Sequence, residues 1–336
     1  MDSKDSSLEG DSLESRIQAI PKTETHLHIE GALPYELLHE LDPDTFPEKP
    51  FFRAPDYRYP NFVDFESLLI EHAVTWFTGP ERYHQACKRI FAGLVEQNVS
   101  YLETSLHLPM IEFIGADGHE LIHAIKSAAP EGLEVKVIGG LTRDSYSEVM
   151  GPIIEELHNW EDLDGIDLHG QEWLELEAWT PALWQRCGEA GKILKAHAGE
   201  FGGHENVTEV LDKLGATRIQ HGVRAIEDQD LVSRLRDEGV ILDMCPISNE
   251  KLQVVSELEG HPIRSFFDAG VVCTINTDDP LCFSNTLNDE YLALSNRLGF
   301  SNAELAEIAK NGFRHAQMDE TLKRKRIAEI DSLLID

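Results

Sequence analysis

Histidine and acidic residues gather in four short segments of this chain, and each segment closes an apolar run. The segments are HLH (His26, His28), HAGE (His197, Glu200), QHG (His221) and TDD (Asp278, Asp279). Three imidazoles and one carboxylate form a ligand set that suits zinc and leaves a coordination position for water. Because zinc lowers the pKa of bound water to about 7, such a set predicts hydrolysis at neutral pH.

Each of these segments is weak by itself. His26 and His28 are two residues apart, so in a strand they face the same side, but such pairs are common among 15 histidines. Asp278 and Asp279 precede Pro280, which also fits an ordinary turn. Hydrolysis also needs an acid that protonates the group under attack. Glu200, three residues after His197, is a candidate for this acid. The combination, rather than any one motif, carries the prediction.

The elements that must position these residues alternate between strand and helix patterns. The predicted strands are Lys22–Ile29, Ser100–Leu106, Glu134–Leu141, Asp164–Leu168, Ile193–Ala198, Thr217–His221, Val240–Met244 and Val271–Thr277. The predicted helices include Arg82–Gln97, Leu121–Ala128, Pro181–Ala190, Asn206–Leu214 and Asp230–Glu238. Eight such alternations predict an α/β fold, a (β/α)₈ TIM barrel, with extra helices after the first strand (34–79) and at the C-terminus (301–336).

In such a barrel, active sites form at the carboxyl ends of the strands. The four polar segments end predicted strands one, five, six and eight, so we expect them to meet at one rim. His107 and His169 also lie near strand ends and are candidates for the pocket wall. Other histidines, including His261, are expected at the surface or in packing.

Composition limits the remaining possibilities. There are 29 Lys and Arg against 61 Asp and Glu, a net charge of −32, which disfavours nucleic acid and anionic membranes as partners. No apolar run is long enough to cross a membrane. Residues 1–15 are acidic and Ser-rich and predict a flexible leader, with residues 16–336 as one catalytic domain. Five cysteines without a CxxC spacing predict reduced thiols and a cytoplasmic protein.

Competing catalytic motifs are missing from the sequence. There is no P-C-x-x-C, H-E-x-x-H, G-x-S-x-G, Walker or G-x-G-x-x-G segment. Two other function classes stay open. One is another metal-dependent hydrolase, acting on esters or cyclic amides; the other is a metal- or small-molecule-binding protein without activity.

Several longer segments resemble the adenosine/adenine deaminase family in order and spacing. They are PKTETHLHIEGAL (21–33), GIDLHGQE (165–172), AHAGE (196–200), RIQHGVRAIED (218–228), CPISN (245–249) and INTDDP (275–280). The resemblance covers nearly the whole chain from Pro21. It implies a hydrolase that removes the amino group of a 6-aminopurine, with a small-molecule substrate.

The resemblance also implies roles for individual residues. It implies one zinc ion per chain, held by His26, His28, His197 and Asp278. Glu200 is similar to the residue that protonates N1 of the purine, and His221 to the residue that aligns the attacking hydroxide. Asp279 is expected to hydrogen-bond N7, the backbone of Gly170 to meet N3, and Glu30 to lie near the ribose.

The substrate signature is mixed. Glu30 stands where adenosine deaminases usually carry Asp, and CPISN and GVRAIED also lean toward adenine deaminases, whereas Gly170 leans toward adenosine deaminases. Ser105 replaces an Arg of the family pattern. The main prediction is adenosine or 2′-deoxyadenosine; the alternative is adenine or a modified adenine nucleoside. The sequence leaves oligomeric state and movement of segment 34–79 open.

Overall fold

A computed structural model describes residues 12–333 of the chain. Eight parallel strands form one sheet in the order in which they occur in the sequence. They are β1 (Lys22–His28), β2 (Val99–His107), β3 (Glu134–Thr142), β4 (Gly165–His169), β5 (Ile193–Ala198), β6 (Arg218–His221), β7 (Ile241–Met244) and β8 (Val272–Ile275). The predicted (β/α)₈ barrel is confirmed, and every predicted strand overlaps an observed one.

Sixteen helices are present in the part of the chain that the structure describes. The first eight are α1 (Leu13–Ala19), α2 (Tyr35–Leu41), α3 (Phe62–Trp76), α4 (Pro80–Glu96), α5 (Met110–Ile114), α6 (Gly118–Lys126), α7 (Met150–Glu156) and α8 (Trp179–Glu189). The others are α9 (His204–Leu214), α10 (Gln229–Glu238), α11 (Pro246–Lys251), α12 (Ile263–Asp268), α13 (Pro280–Phe283), α14 (Leu287–Leu298), α15 (Asn302–His315) and α16 (Glu320–Ser332). Among residues 12–333, none of these helices is long and apolar enough to cross a membrane.

The extra helices lie where the sequence predicts them. Segment 34–79 contains α2 and α3, and α3 covers the carboxyl end of the barrel, where its residues line the central cavity. At the other end, α15 packs against β1 and β8, and the Asn311 amide donates to the carbonyl of Cys273 (3.2 Å). Helix α1 begins at Leu13, inside the predicted leader of residues 1–15. Residues 1–11 of that leader lie outside the described part of the chain.

The seam between β1 and β8 brings two of the four polar segments together. The Asp278 amide donates to the carbonyl of His26 (3.0 Å), and the His28 amide donates to the carbonyl of Asp278 (3.1 Å). Asp278 adopts a left-handed backbone conformation (φ +67°), which is costly for a residue with a Cβ and is concentrated at functional sites. Closure of the barrel therefore places the end of β8 beside the two histidines of β1.

The interior of the barrel holds four buried charged side chains, here called the interior cluster: Lys195, Arg218, Glu103 and Asp243. Lys195 Nζ lies 2.5 Å from Glu103 Oε2, and Arg218 bridges Glu103 Oε1 (2.9 Å) and Asp243 Oδ1 (2.7 Å). The two positive and two negative charges are mutually paired. Desolvation by burial would raise the pKa of Asp243, but the charges of Arg218 and Lys195 outweigh it and lower this pKa to about 2.

Candidate active site

Four side chains from β1, β5 and the end of β8 meet at the carboxyl rim of the barrel. His26 Nε2 and His28 Nε2 lie 3.1 and 3.3 Å from His197 Nε2, and 3.4 and 3.3 Å from Asp278 Oδ1. All four potential ligand atoms lie within 4.8 Å of one another. We call these residues the metal-ligand cluster, since their convergence is the geometry that the sequence predicts for a zinc site.

Hydrogen bonds behind the metal-ligand cluster orient its members. His197 Nδ1 lies 3.2 Å from Asp167 Oδ2, which leaves Nε2 free to face the cluster. The Ser248 hydroxyl donates to Asp278 Oδ2 (2.7 Å), so Oδ1 is the oxygen that faces the histidines. Outer partners of this kind fix the tautomer and direction of metal ligands.

The charge balance at the rim calls for a cation. Burial opposes protonation of His28, yet Asp279 and Asp278 raise the pKa of its imidazole to about 10. In residues 12–333, no Lys or Arg side chain lines the cavity around these carboxylates. A buried group of acidic side chains is unfavourable, and a divalent metal held by the four ligands would neutralise part of its charge. Donor chemistry, geometry and charge of the four residues thus all fit a metal ion.

Glu200 and His221 lie beside the cluster. His221 Nε2 is 3.4 Å from Glu200 Oε1 and 3.9 Å from Asp278 Oδ2. His221 also has a left-handed backbone (φ +64°), at the end of β6. Burial, followed by the negative charges of Asp278 and Glu172, raises the pKa of Glu200 well above its usual value. Glu200 Oε1 is buried and makes no hydrogen bond within the described structure, and the raised pKa favours the protonated form of this side chain.

The turn that carries Glu200 is held by a residue to which the sequence analysis gave no role. Glu172 is buried, and its carboxylate accepts hydrogen bonds from four consecutive backbone amides, residues 199–202. The bond from the Glu200 amide is 3.1 Å long and that from Gly202 is 2.8 Å long. The letters QE after GIDLHG were part of the family resemblance, but nothing in them indicated that the carboxylate returns to the β5 turn.

His221 is held from behind by two further residues that sequence reasoning missed. Asn249 Nδ2 lies 3.1 Å from His221 Nδ1, and His261 Nε2 lies 3.1 Å from Asn249 Oδ1. His261 is a buried residue, 3% exposed, and accepts a hydrogen bond at Nδ1 from the Ile263 amide (3.2 Å). Asn249 belongs to the CPISN segment, while His261 had no motif around it.

Glu30 is buried at the cavity wall. The Tyr83 hydroxyl donates to Glu30 Oε1 (2.7 Å), and the His107 amide lies 3.3 Å from both carboxylate oxygens. Burial raises the pKa of Glu30, although these hydrogen bonds oppose the shift. His107 Nδ1 and His169 Nε2 are 3.0 Å apart, and both rings line the cavity as the sequence indicates.

The cavity above the cluster has a volume of about 480 Å³. Gly170, with φ +81°, lies on its wall, and so does Asp279. Asp279 approaches the backbone so closely that a Cβ at Gly31 would lie 1.5 Å from its Oδ1. Burial and Asp278 raise the pKa of Asp279 well above its usual value, and this Oδ1 also has no partner in the described structure.

Apolar side chains form the opposite wall of the cavity: Phe62, Phe65, Leu69, Val74, Met110 and Phe113. All nine site residues predicted from the sequence therefore border one cavity or its metal-ligand cluster.

Comparison with known proteins agrees with this geometry. An adenine deaminase from Ralstonia pickettii (strain 12J) is 32% identical over 339 residues, covering 95% of this chain and 96% of the relative. The crystal structure of adenine deaminase from Arthrobacter aurescens superposes with a TM-score of 0.82 at 26% identity, covering 95% of this chain and all of that one. A zinc-bound amidohydrolase structure (TM-score 0.81) is 20% identical, covers 98% of each chain, and shows the shared fold alone. The family model described as adenosine deaminase matches residues 21–333. The chain belongs to the adenosine deaminase family, whose members hydrolyse carbon–nitrogen bonds of cyclic amidines.

Proposed function

We propose that this protein is a zinc-dependent adenine deaminase, with residues 16–336 acting as a single catalytic domain. The observation that carries the proposal is the convergence, at one rim, of a four-residue ligand set with the buried Glu200, whose pKa is raised. A metal-binding protein without activity needs the first feature but not the second.

One zinc ion would be held by His26, His28, His197 and Asp278. When bound, it would supply a water molecule that ionises near neutral pH. The ligand atoms are three nitrogens and one carboxylate oxygen. Such a set suits zinc better than it suits magnesium or calcium, which prefer oxygen ligands. The same atoms also suit iron or manganese, so the identity of the metal is part of the proposal.

The side chains around the metal-ligand cluster have separate roles in the proposed reaction. Glu200 has a raised pKa and faces the cavity, so its protonated form can deliver a proton to the ring nitrogen beside the carbon under attack. Burial and Asp278 also raise the pKa of Asp279, and its protonated carboxyl can donate a hydrogen bond to N7 of a purine. Water adds to C6, the amino group leaves as ammonia, and His221 stands beside the attacking oxygen.

Adenine has more support as the substrate than adenosine, which was the main prediction from the sequence. The similar curated relatives carry the name adenine deaminase, and so does the structure from Arthrobacter aurescens. Glu30 also fits a free base, because Tyr83 and the His107 amide occupy its carboxylate oxygens. A carboxylate engaged in this way has less capacity to accept the hydroxyl groups of a ribose.

The charge of the cavity disfavours nucleotides. Glu30, Glu66 and Asp144 add to the acidic residues of the rim, and within residues 12–333 no cationic side chain lines the wall. An excess of acidic side chains would repel a phosphate group there. We therefore do not expect adenosine 5′-monophosphate to be the main substrate.

Ultraviolet spectroscopy of the zinc-loaded protein tests the proposal. Adenine, adenosine, 2′-deoxyadenosine and adenosine 5′-monophosphate are supplied separately, and conversion to the 6-oxo product is followed. We expect a kcat/KM for adenine about 100-fold or more above that for the nucleosides, a ratio that corresponds to a few kcal/mol of differential binding. Faster turnover of the nucleosides would return the protein to the adenosine branch, and inactivity on all four would refute the deaminase assignment.

A further inference from the structure

The direction of every hydrogen bond behind His221 can be deduced from one backbone amide. The Ile263 N–H can only donate, so His261 Nδ1 must accept (3.2 Å). His261 is buried, and this desolvation lowers its pKa to about 3, which agrees with a neutral ring. A neutral imidazole that accepts at Nδ1 carries its proton on Nε2.

The next two bonds then have only one possible direction. His261 Nε2–H donates to an oxygen, so the side-chain oxygen of Asn249 is the atom at 3.1 Å from it. The amide nitrogen of Asn249 therefore faces His221 Nδ1, at 3.1 Å. Since that nitrogen can only donate, His221 Nδ1 accepts and the proton of His221 lies on Nε2. Asn249 is completely buried and His221 is 1% exposed, so water cannot take over these contacts.

We infer that His261 and Asn249 are positioning residues that fix His221 as the Nε2–H tautomer. In this state His221 directs a hydrogen-bond donor toward Glu200 Oε1 (3.4 Å) and Asp278 Oδ2 (3.9 Å), the side on which the reacting atoms lie. With its proton on Nε2, His221 can donate a hydrogen bond to the attacking oxygen and stabilise negative charge there. The consequence for the reaction rests on the proposed deaminase function, whereas the tautomer itself does not.

The substitution Asn249→Asp inverts the tautomer with almost no change of shape. A carboxylate accepts from both neighbours, so His221 must carry a proton on Nδ1, and the neutral ring then presents a bare Nε2 to the site. We expect kcat for adenine to fall by about 10²- to 10⁴-fold, the scale of a wrong catalytic tautomer, while zinc content stays at one per chain. Asn311→Asp is the matched control, since Asn311 is a partly buried Asn at the opposite end of the barrel. It should change kcat by less than about threefold.

His261 supplies a second pair of variants. His261→Gln keeps a side-chain N–H that can donate to Asn249, whereas His261→Phe removes it and lets the Asn249 amide rotate. The glutamine variant should retain kcat within about tenfold of the wild type, and the phenylalanine variant should lose more than the glutamine variant does. This comparison decides the proposal even where Asn249→Asp fails to fold.

The direct readout is ¹⁵N NMR of the histidine side chains in the zinc-loaded protein, with the His221 signals assigned from their absence in His221→Asn. The inference requires a protonated Nε2 and an unprotonated Nδ1 in the wild type, exchanged in Asn249→Asp. A wild-type signal with the proton on Nδ1 overturns it, and so does full kcat in Asn249→Asp after the exchange. The spectrum needs no substrate, so it tests the tautomer separately from the reaction. Inactivity on adenine would contradict the proposed function but not the tautomer.

Discussion

Two groups of buried charged residues lie along the axis of this barrel, and their charges are compensated in different ways. In the interior cluster, Lys195 and Arg218 neutralise Glu103 and Asp243 through ion pairs of 2.5 to 2.9 Å. At the rim, Asp278 has imidazole neighbours but no Lys or Arg within the cavity lining of the described chain. Both groups are almost completely removed from solvent.

The difference separates structure from function. The charges of the interior cluster neutralise one another without a ligand, so this cluster contributes to the stability of the fold. Removing one partner leaves a buried charge uncompensated. The rim is incomplete by itself, because its carboxylates need a proton or a metal to be stable there. The pKa values of Glu200 and Asp279 are accordingly raised, and the metal-ligand cluster has a geometry that suits a cation. Substitutions should therefore affect activity at the rim and stability in the interior.

The largest expected effect is on activity at the rim. Asp278→Asn removes a metal ligand, so we expect zinc to be lost and kcat/KM for adenine to fall by about 10³-fold or more. The free energy of unfolding of the metal-free protein should decrease only slightly, because Asn tolerates the left-handed backbone of residue 278 and its amide oxygen can still accept from Ser248. Metal analysis, kinetics and urea unfolding of the stripped protein measure these three quantities. A clear loss of stability in the stripped variant would show that Asp278 is structural.

The interior should respond in the reverse manner. Arg218→Met leaves Lys195 as the one cation of the interior cluster beside Glu103 and Asp243, so one buried negative charge is uncompensated, and we expect the free energy of unfolding to drop by about 3–5 kcal/mol. Residual folded protein should retain its metal and an active-site geometry close to wild type. Urea unfolding, with zinc content measured on the folded fraction, checks the prediction. Unchanged stability would contradict the view that these ion pairs matter for folding.

A smaller effect on activity is expected at Glu172, which belongs to neither cluster but holds the Glu200 turn. Glu172→Gln replaces one acceptor oxygen by an NH₂ group that faces backbone N–H donors. A displacement of Glu200 by about 1 Å should lower kcat by about 10- to 100-fold, with KM for adenine and zinc content nearly unchanged. Asp164→Asn is the control, because Asp164 accepts from the Val137 amide (2.8 Å) just before β4, away from the rim. Equal losses of kcat in both variants would argue against a specific role of Glu172.

The smallest effect concerns acid stability. His261 has an unfolded pKa near 6.5 and a folded pKa of about 3, because burial disfavours its charged form. Between these values the unfolded chain binds the additional proton, so the free energy of unfolding falls as pH decreases through this window. At pH 5 the contribution is about 2 kcal/mol relative to neutral pH, and His261→Gln should remove it. Parallel pH–stability curves for wild type and variant would show that His261 is not buried in neutral form.

The strand ends explain why the sequence was informative here. In a barrel, all strands run in one direction, so residues such as His28, His197 and Asp278 that end different strands converge on one rim. The alternation of strand and helix patterns, with Gly215 and Gly239 ending helices in left-handed conformations, was enough to locate those ends. The metal-ligand cluster follows from topology plus motif, without knowledge of the loops.

The supporting residues could not be located in the same way. Glu172 returns from the loop after β4 to the turn after β5, and His261 reaches Asn249 from the start of α12. Tyr83 contacts Glu30 from α4 across a separation of 53 residues. These contacts depend on loop paths that carry no periodic pattern, and a lone buried His or Glu looks the same in sequence as a surface one. The choice between adenine and adenosine depends on just such contacts.

The most direct test of the account is a metal titration of the stripped protein with adenine as substrate. Zinc is removed with a chelator, the protein is returned to metal-free buffer, and the rate of adenine conversion is measured as zinc is added back. We predict that the stripped protein is inactive and that activity rises linearly to a plateau at one zinc per chain. Full activity in the stripped protein, or a plateau that is unchanged in Asp278→Asn, would contradict the assignment of the rim as the catalytic metal centre.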